Sequence, residues 1–270
     1  MNSAKATYVY CVIAAARRPR VSKKAHGLPA MGSLRLLDVA PGLYVAVADA
    51  PLSRYGEAAI NRGLGDLEWV SRAAVAHEAV IESFIGETAI LPMKLFTIFT
   101  SDARVLEHIA SQRPRIASLV KRVANHQEWG VRLMLDRTHA GRAAAGGGNR
   151  TRKTSSGSSR RPVSVGPGAS FLQQKRAQRD ATVELASRAR NTVAKLYDRL
   201  EARSRLAKRR PASELPPQRG PLLLDAAFLV PRARAASFKA LTAREAQTLS
   251  RQGYGMTVSG PWPPYTFVQD

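Results

Sequence analysis

Cysteine and long apolar runs are the features that this sequence most clearly lacks. Cys11 is the one cysteine among 270 residues, so an intrachain disulfide cannot form. A chain of this kind suits a reducing compartment such as the cytosol. No stretch approaches the ~18 consecutive apolar residues of a membrane-spanning helix, and no apolar segment with a cleavage site follows Met1. We therefore expect a cytoplasmic protein with no membrane span, in which Cys11 is an inert core thiol.

Acidic side chains are also scarce. Asp and Glu number 20 against 42 Lys and Arg, which gives a formal net charge of +22. Residues 140–210 hold 18 basic and 4 acidic side chains, so most of the excess belongs to one segment. Such a segment favours acidic partners or non-specific binding of polyanions. A basic nucleic-acid-binding protein that uses residues 140–210 is therefore an alternative function, although the segment has no recognisable nucleic-acid-binding motif.

Sequence patterns of catalysis are missing as well. The chain has no Gly-x-Ser-x-Gly motif, and the glycines at 146–148 follow no predicted strand and precede no Gly-Lys-Ser/Thr. His77-Glu78 lacks the second histidine of a zinc motif, because Ile81 stands four residues on from His77. The other histidines are scattered without metal-ligand spacing. We therefore predict no enzyme activity, no metal and no cofactor, with His77 as a hydrogen-bonded structural residue.

A helix followed by a strand occupies the centre of the N-terminal half. Apolar residues recur at helical spacing from 67 to 84, and Gly86 is predicted to end the helix that they indicate. Residues 90–99 are apolar on both sides, which predicts one continuous buried strand. The predicted apolar face of the helix consists of Leu67, Val70, Ala74, His77, Ile81 and Phe84.

Shorter elements lie on either side of this unit. Pro41-Gly42 is a turn signal, so the strands that flank it should form a hairpin. Ser101 is a suitable helix N-cap, and Pro114 should kink or divide the helix that follows it. Basic residues crowd the loop at 17–24, where they either bind phosphate or face solvent. Strands are predicted at 7–13, 34–39 and 43–48.

The C-terminal half combines a linker with alternating helices and strands. Residues 138–167 are rich in Gly, Ser and basic side chains, which predicts a flexible linker that is dispensable for folding. Residues 168–210 predict a long helix whose narrow apolar stripe packs on its own sheet, or serves as a coiled-coil seam or nucleic-acid arm. The other predicted elements are strands at 128–135, 222–230 and 254–258 and a helix at 237–251.

This order of elements predicts the fold class. Helices that alternate with strands from residue 128 onward are typical of a ferredoxin-like domain. The whole chain is therefore expected to be α+β, with mixed or antiparallel sheets covered by helices. We predict an N-terminal domain at 1–126 and a C-terminal domain at 127–270.

An aromatic and proline-rich tail at 259–270 ends the chain. Trp262, Tyr265 and Phe267 lie within six positions, among prolines that fix φ and remove backbone donors. Such a segment either locks the two domains together or presents a preordered apolar surface to a partner. These three aromatic residues are therefore candidate inter-domain or partner-contact residues.

Six short motifs extend over nearly the whole chain. They are Tyr8-Val9-Tyr10, Ala76-His77-Glu78-Ala79-Val80, Leu91-Pro92-Met93-Lys94, Glu128-Trp129-Gly130-Val131-Arg132, Gly168-Ala169-Ser170-Phe171-Leu172 and Gly260-Pro261-Trp262-Pro263-Pro264-Tyr265-Thr266-Phe267-Val268. These motifs, in this order, resemble those of the gas vesicle GvpL/GvpF family. Cys11 and Phe96 stand where that family usually has glycine.

The resemblance implies a role in gas vesicle assembly. It implies a two-domain protein that binds the small amphipathic shell protein and that can remain as a minor vesicle component. Shell subunits have an apolar face, which aggregates unless it is covered before assembly. The expected partners are the shell protein and other gas vesicle accessory proteins, and the expected location is the gas vesicle and the cytoplasm. Lys94, within its motif, is a further candidate contact residue.

Overall fold

The computed structural model describes residues 5–22, 26–136, 167–211 and 220–269. These residues form two antiparallel sheets with helices packed on them, so the predicted α+β class is confirmed. The predicted linker at 138–167 lies outside the described residues except for Pro167, and so does part of the basic loop at 17–24.

The first sheet is built around its opening strand, which pairs with three others. Its order is β2-β3-β1-β4, and β5 also pairs with β1. Gly42 has φ +76° in the turn of the predicted hairpin, where glycine meets no steric cost. The strands are β1 Lys5–Ala14, β2 Arg35–Ala40, β3 Leu43–Pro51, β4 Ala89–Pro92 and β5 Ile98–Phe99.

Helices cover both faces of this sheet. The α3 helix packs on one face, whereas α4 and α5 pack on the other. Ser101 caps α4 as predicted, and the predicted division at Pro114 is confirmed because α5 begins beside it. The helices are α1 Leu52–Tyr55, α2 Glu57–Gly63, α3 Leu67–Glu82, α4 Asp102–Ser111 and α5 Arg113–Val123.

The buried face of α3 differs from the predicted one. Ala73 and Val80 are buried with His77 and Ile81, whereas Leu67 is 80% exposed and Ala74 is exposed. The helix also ends at Glu82, before the turns that lead to Gly86. The predicted stripe and the observed stripe both have helical spacing. The sheet beneath α3 decides which of these two adjacent stripes is buried.

The predicted strand at 90–99 is not continuous. It consists of β4 and β5, which pair with the two ends of β1 and are separated by a loop at 93–97. Phe96 lies in this loop with φ +63°, a left-handed conformation that interrupts strand geometry. Burial was predicted correctly only for Ile90 and Leu91, because residues 92–99 are partly exposed and Lys94 is exposed. The apolar composition gave no sign of the interruption.

The second sheet has the order β7-β8-β6-β9, with all pairs antiparallel. A helix lies between β6 and β7 and another between β8 and β9, which is the ferredoxin-like arrangement that the sequence predicted. The elements are β6 His126–Leu135, α6 Pro167–Glu201, β7 Leu206–Arg209, β8 Leu222–Pro231, α7 Ala235–Ser250, β9 Tyr254–Trp262 and α8 Tyr265–Val268.

Two predicted boundaries in this half are wrong. The long helix ends at Glu201 rather than near Arg210, because Leu206–Arg209 pairs with β8 as an edge strand. The last strand runs to Trp262 rather than Val258. It includes Pro261 because β9 is itself an edge strand, where a missing backbone donor costs little.

The two sheets share apolar contacts. Ala227 and Leu229 on β8 belong to the same buried cluster as Leu119 and Val123 on α5. The opposite face of the second sheet packs on α6 and α7. The division into domains 1–126 and 127–270 stays a prediction.

Candidate functional site

The closing segment folds back onto the first sheet. Phe267 and Val268 on α8 are 6% and 9% exposed, within the cluster that includes Val12, Leu91 and Ile116. The guanidinium of Arg122 donates to the carbonyl oxygen of Phe267 at 3.3 Å. The last turn of the chain is therefore part of the core of the N-terminal half.

A buried carboxylate fixes this segment to the second sheet. Glu128 on β6 is 3% exposed, and it accepts hydrogen bonds from the backbone N–H of Thr266 at 2.7 Å and from its hydroxyl at 2.6 Å. Burial raises the pKa of Glu128, whereas the Thr266 donors and the charge of Arg210 act in the opposite direction. Glu128 thus satisfies two donors of the tail with one side chain.

An ion-pair network lies next to Glu128. Asp225 on β8 is 6% exposed and accepts from Arg132 Nε at 3.1 Å and from Arg210 Nε and Nη2 at 2.9 and 2.6 Å. Gly130 leaves room for the network, because a Cβ there would lie 2.6 Å from Ser259 Oγ and 3.2 Å from Arg210 Nη2. A side chain at this position of β6 would therefore displace Ser259 Oγ and crowd Arg210.

A second buried network holds the loop at 93–97. His77 Nε2 lies 3.0 Å from the carbonyl oxygen of Met93, which can only accept, so Nε2 carries the proton. Nδ1 must then accept from the Tyr8 hydroxyl at 2.8 Å, and the Tyr8 oxygen accepts from the N–H of Phe96 at 3.2 Å. Burial lowers the pKa of His77 and raises that of Tyr8, which keeps both groups neutral.

Further contacts hold the same loop. Thr97 Oγ1 and the Thr97 N–H both donate to the carbonyl oxygen of Lys94, at 2.7 and 3.2 Å. The Phe96 ring stacks on Trp69 with centroids 5.1 Å apart. The left-handed Phe96 is therefore held by contacts with α3 and β1, while the Lys94 side chain is exposed.

A groove of about 440 Å³ opens beside this loop. Its apolar floor comes from β1, β4, α4, α5 and the end of the tail, and its rim carries Lys94, His108 and Arg115. Among the described residues that line it, no acidic side chain occurs. The floor residues are Val12, Leu91, Ile109, Ile116, Leu119 and Val268.

The structure brings together only some of the residues singled out in the sequence. Lys94 and Tyr265 both line the groove, whereas Phe267 lies in the core beneath it and Trp262 is a 36% exposed residue of β9. Burial raises the pKa of Tyr265, and nearby Glu78 adds to that shift. Whether any of these four residues contacts a partner stays a prediction.

Sequence reasoning missed the polar residues that organise the site. Glu128 and Thr266 lie within two of the quoted motifs, so their place there was the available signal. His108 and Arg115 carried no signal, because their spacing on α4 and α5 is that of ordinary exposed helix residues. Only the fold places them on the same groove as Lys94.

The described residues give little sign of a reactive cysteine, a metal site or a membrane-spanning helix. Cys11 is fully buried, and burial raises the pKa of its thiol. Within 5–22, 26–136, 167–211 and 220–269, no three His, Cys, Asp or Glu residues lie close enough to hold a metal ion. Across those same ranges, none of the helices combines the length and the apolar character that a bilayer crossing requires.

The basic segment at 140–210 is only partly described. Within α6 its charges are mixed: Arg188 pairs with Glu184, and Arg199 donates to Glu245 at 2.5 Å. A wider concavity beside the exposed half of α6 has walls, among the described residues, from that helix alone. Nothing in the described part of the segment favours nucleic-acid binding over a solvated helix surface.

The sequence of the whole chain matches one family. The family model for the gas vesicle synthesis protein GvpL/GvpF matches residues 6–269. The chain belongs to the GvpL/GvpF family. The match includes the elements that form the groove, the loop at 93–97 and the closing segment.

Individual relatives agree with this assignment. Gas vesicle protein L of Streptomyces sp. (strain CB03234) is 27% identical over 271 residues, which is 99% of this chain and 94% of that protein. Two crystal structures share the fold at 15% identity: GvpF from Anabaena sp. PCC7120, with TM-score 0.65, and GvpF from Microcystis aeruginosa, with TM-score 0.63. Each alignment covers 98% of this chain, with 97% of the Anabaena protein and 99% of the Microcystis protein.

Proposed function

We propose that this member of the GvpL/GvpF family is a non-enzymatic gas vesicle assembly protein that binds the small amphipathic shell protein. It acts in the cytoplasm before and during assembly, and it remains in the vesicle as a minor component. The observation that carries this proposal is the family match over residues 6–269. The relative named gas vesicle protein L, aligned over 99% of this chain, supports it.

The fold supplies a physical reason for this function. A shell subunit with an apolar face needs a partner that covers that face until polymerisation. The groove offers an apolar floor with a basic rim, and the loop beside it is held in place by buried hydrogen bonds. Such a surface binds without first having to be ordered, which favours reversible covering of an aggregation-prone partner.

A complementation experiment tests the assembly role. The chain is expressed in a vesicle-forming strain from which the gene for its own GvpL/GvpF-family protein has been deleted. We expect vesicles to return, as measured by electron microscopy and cell buoyancy, and the chain to be detected in vesicles purified by flotation. Failure to restore vesicles, with the chain present in the soluble fraction, would contradict the role.

Co-expression tests shell-protein binding separately. We expect a tagged form of the chain to retain part of the shell protein in the soluble fraction and to co-purify with it. The matched control is expression of the shell protein without the chain. An equal amount of insoluble shell protein with and without the full-length chain would argue against binding.

A further inference from the structure

We propose that the outer edge of β9, over residues 254–260, pairs with the same strand of a second copy of this chain. The two strands run antiparallel about a two-fold axis at Thr257, so that two four-stranded sheets join into one continuous sheet. This inference concerns the C-terminal half of the chain and does not depend on the vesicle function.

The outer edge of β9 is open. Among the described residues, β6 is the one strand that pairs with β9, and no other element forms a backbone hydrogen bond with 254–262. Alternate residues of an antiparallel strand direct their N–H and C=O groups toward opposite edges, so β9 has a row of outward backbone groups. Thr257 and Ser259 are exposed, and a Cβ at Gly255 would meet nothing within 4 Å. Such an edge can accept another strand.

The edge strands β7 and β2 are protected in ways that β9 is not. β7 carries Lys208 and Arg209, both exposed. β2 has a bulge near its end, and Arg18 Nη2 donates to the carbonyl oxygen of Leu36 at 2.9 Å. Charged side chains and bulges are the usual devices that prevent strand addition. β9 carries no charged residue over its 9 positions, and Pro261 interrupts its donors only near the end.

The sequence of the strand favours a second copy as the partner. Thr257 is the midpoint of 254–260, the stretch that precedes Pro261. With Thr257 opposite its own copy, Met256 faces Val258 of the second copy. Both of these apolar side chains pack against the buried cluster beneath α6 and α7, so the pairing extends that apolar layer across the two copies. Paired threonines and paired apolar residues stabilise antiparallel strands, and no like charges meet.

The net charge of the chain opposes this association without preventing it. Most of the positive excess lies at 140–210, outside β9. Repulsion between exposed charges is screened over roughly 8 Å at physiological ionic strength. One pair of strands buries less area than a permanent dimer, so we expect a weak dimer with a dissociation constant on the order of 100 µM.

Sedimentation equilibrium of the full chain tests self-association. We expect a shift from monomer to dimer between about 10 and 500 µM protein. Because salt screens the repulsion between the two copies, the dissociation constant should fall about twofold or more when salt rises from about 150 to 500 mM. A chain that stays monomeric throughout this range would overturn the proposal. A dimer that weakens as salt rises would also overturn it, since ion pairs rather than strand pairing would then hold the copies together.

Charge variants at the two-fold axis locate the contact. Thr257→Lys and Thr257→Glu each place like charges directly opposite one another, so each variant alone should dimerise about fivefold more weakly than the parent. An equimolar mixture should restore the dimer, because the introduced lysine then faces the introduced glutamate. A mixture that associates no better than the separate variants would overturn the pairing at Thr257.

Matched substitutions on α7 control for a general effect of charge. Gln247→Lys and Gln247→Glu make the same charge changes at an exposed position, and each should alter the dissociation constant by less than about twofold. Since Thr257 is also exposed, all four variants should melt within about 3 °C of the parent. Equal weakening by substitutions at 247 and 257 would overturn the assignment to β9.

Hydrogen exchange followed by mass spectrometry shows which edge is used. Amide exchange at 254–260 should slow as protein concentration rises, whereas exchange at 206–209 on the opposite edge should not change. Concentration-dependent protection at 206–209 alone would overturn the β9 edge. A monomeric chain that loses capture of a vesicle protein when it carries Thr257→Lys would assign the edge to a partner's strand, and the second copy would be wrong.

Discussion

The closing segment and the first half of α6 both carry apolar side chains that follow no clear burial pattern in the sequence. In the structure those of the closing segment are buried, whereas those of α6 are exposed. α8 comprises only 4 residues, but Phe267 is 6% exposed and its backbone oxygen accepts from Arg122. In α6, residues 171–186 are helical and every one is exposed, including Phe171 at 59% and Val183 at 65%.

This difference shows that regular secondary structure and tertiary stabilisation are separate properties. Residues 171–186 of α6 are helical, but their exposed side chains do not belong to the buried clusters. The closing segment has little regular structure but contributes to apolar packing and to hydrogen bonding with Glu128 and Arg122. We therefore expect stability to depend on the short segment and to be almost independent of the long one.

Truncation after Ser259 should have the largest effect. It removes Phe267 and Val268 from the core and leaves Glu128 buried without the Thr266 donors. Loss of one buried Phe side chain alone costs about 3–5 kcal/mol, so we expect a loss comparable to the whole stability of a typical domain. Thermal unfolding followed by circular dichroism measures it. Truncation after Val268 is the control, and equal melting temperatures for the two truncations would contradict the packing role.

Glu128→Ala should have the next largest effect. It leaves two donors of Thr266 without an acceptor in a buried site, which should lower the free energy of unfolding by roughly 2–4 kcal/mol. Thr266→Val removes only the hydroxyl donor and should cost about 1 kcal/mol. Glu107→Ala, on an exposed pair with Arg104, should change stability by less than about 0.5 kcal/mol in urea denaturation. A cost for Glu128→Ala no larger than that of Glu107→Ala would show that the tail is not held through this carboxylate.

His77 should give a smaller, pH-dependent effect. Burial lowers its pKa in the folded state below 6.5, so the unfolded chain binds the proton more readily. Stability is therefore present above about pH 6.5 and is lost as the pH falls from there toward the folded pKa. We expect the melting temperature to decline more steeply between about pH 7.5 and 5.5 in the parent than in His77→Gln.

Other titrating groups do not account for this difference in the pH dependence of the melting temperature. The pKa of His126 is also lowered by burial, but this contribution is common to both proteins. The raised pKa values of Glu78 and Glu128 act with the opposite sign, since they favour the folded state as the pH falls toward 4.5. Parallel pH profiles for the parent and His77→Gln would contradict the buried neutral histidine.

Polar substitutions in the first half of α6 should have the smallest effect. Leu172→Gln and Val183→Gln replace side chains that are 64% and 65% exposed, so each should change the free energy of unfolding by less than about 0.5 kcal/mol. Val193→Gln is the matched control on the same helix, where the residue is 9% exposed, and it should cost about 2 kcal/mol. Similar costs at positions 183 and 193 would show that the first half of α6 also packs.

Local pattern was enough to predict much of the fold. The hairpin at Pro41-Gly42, the helix boundary at Pro114 and the ferredoxin-like order of the C-terminal elements depend on turn residues and periodicity within short windows. The candidate site was less predictable. Lys94 and Tyr265 were singled out as motif residues, but nothing in their spacing placed them on one groove.

By itself, the sequence determined most of the helices and strands and the family that the motifs resemble, because propensity, capping and turn geometry act between neighbouring residues. Only the tertiary structure decided which stripe of α3 is buried, that Leu206–Arg209 pairs as a strand, and that a left-handed Phe96 interrupts the strand at 90–99. The same holds for Thr266, whose hydrogen bonds reach Glu128 across 138 positions of the chain. Contacts at that separation depend on how the two sheets pack, and no local pattern contains that information.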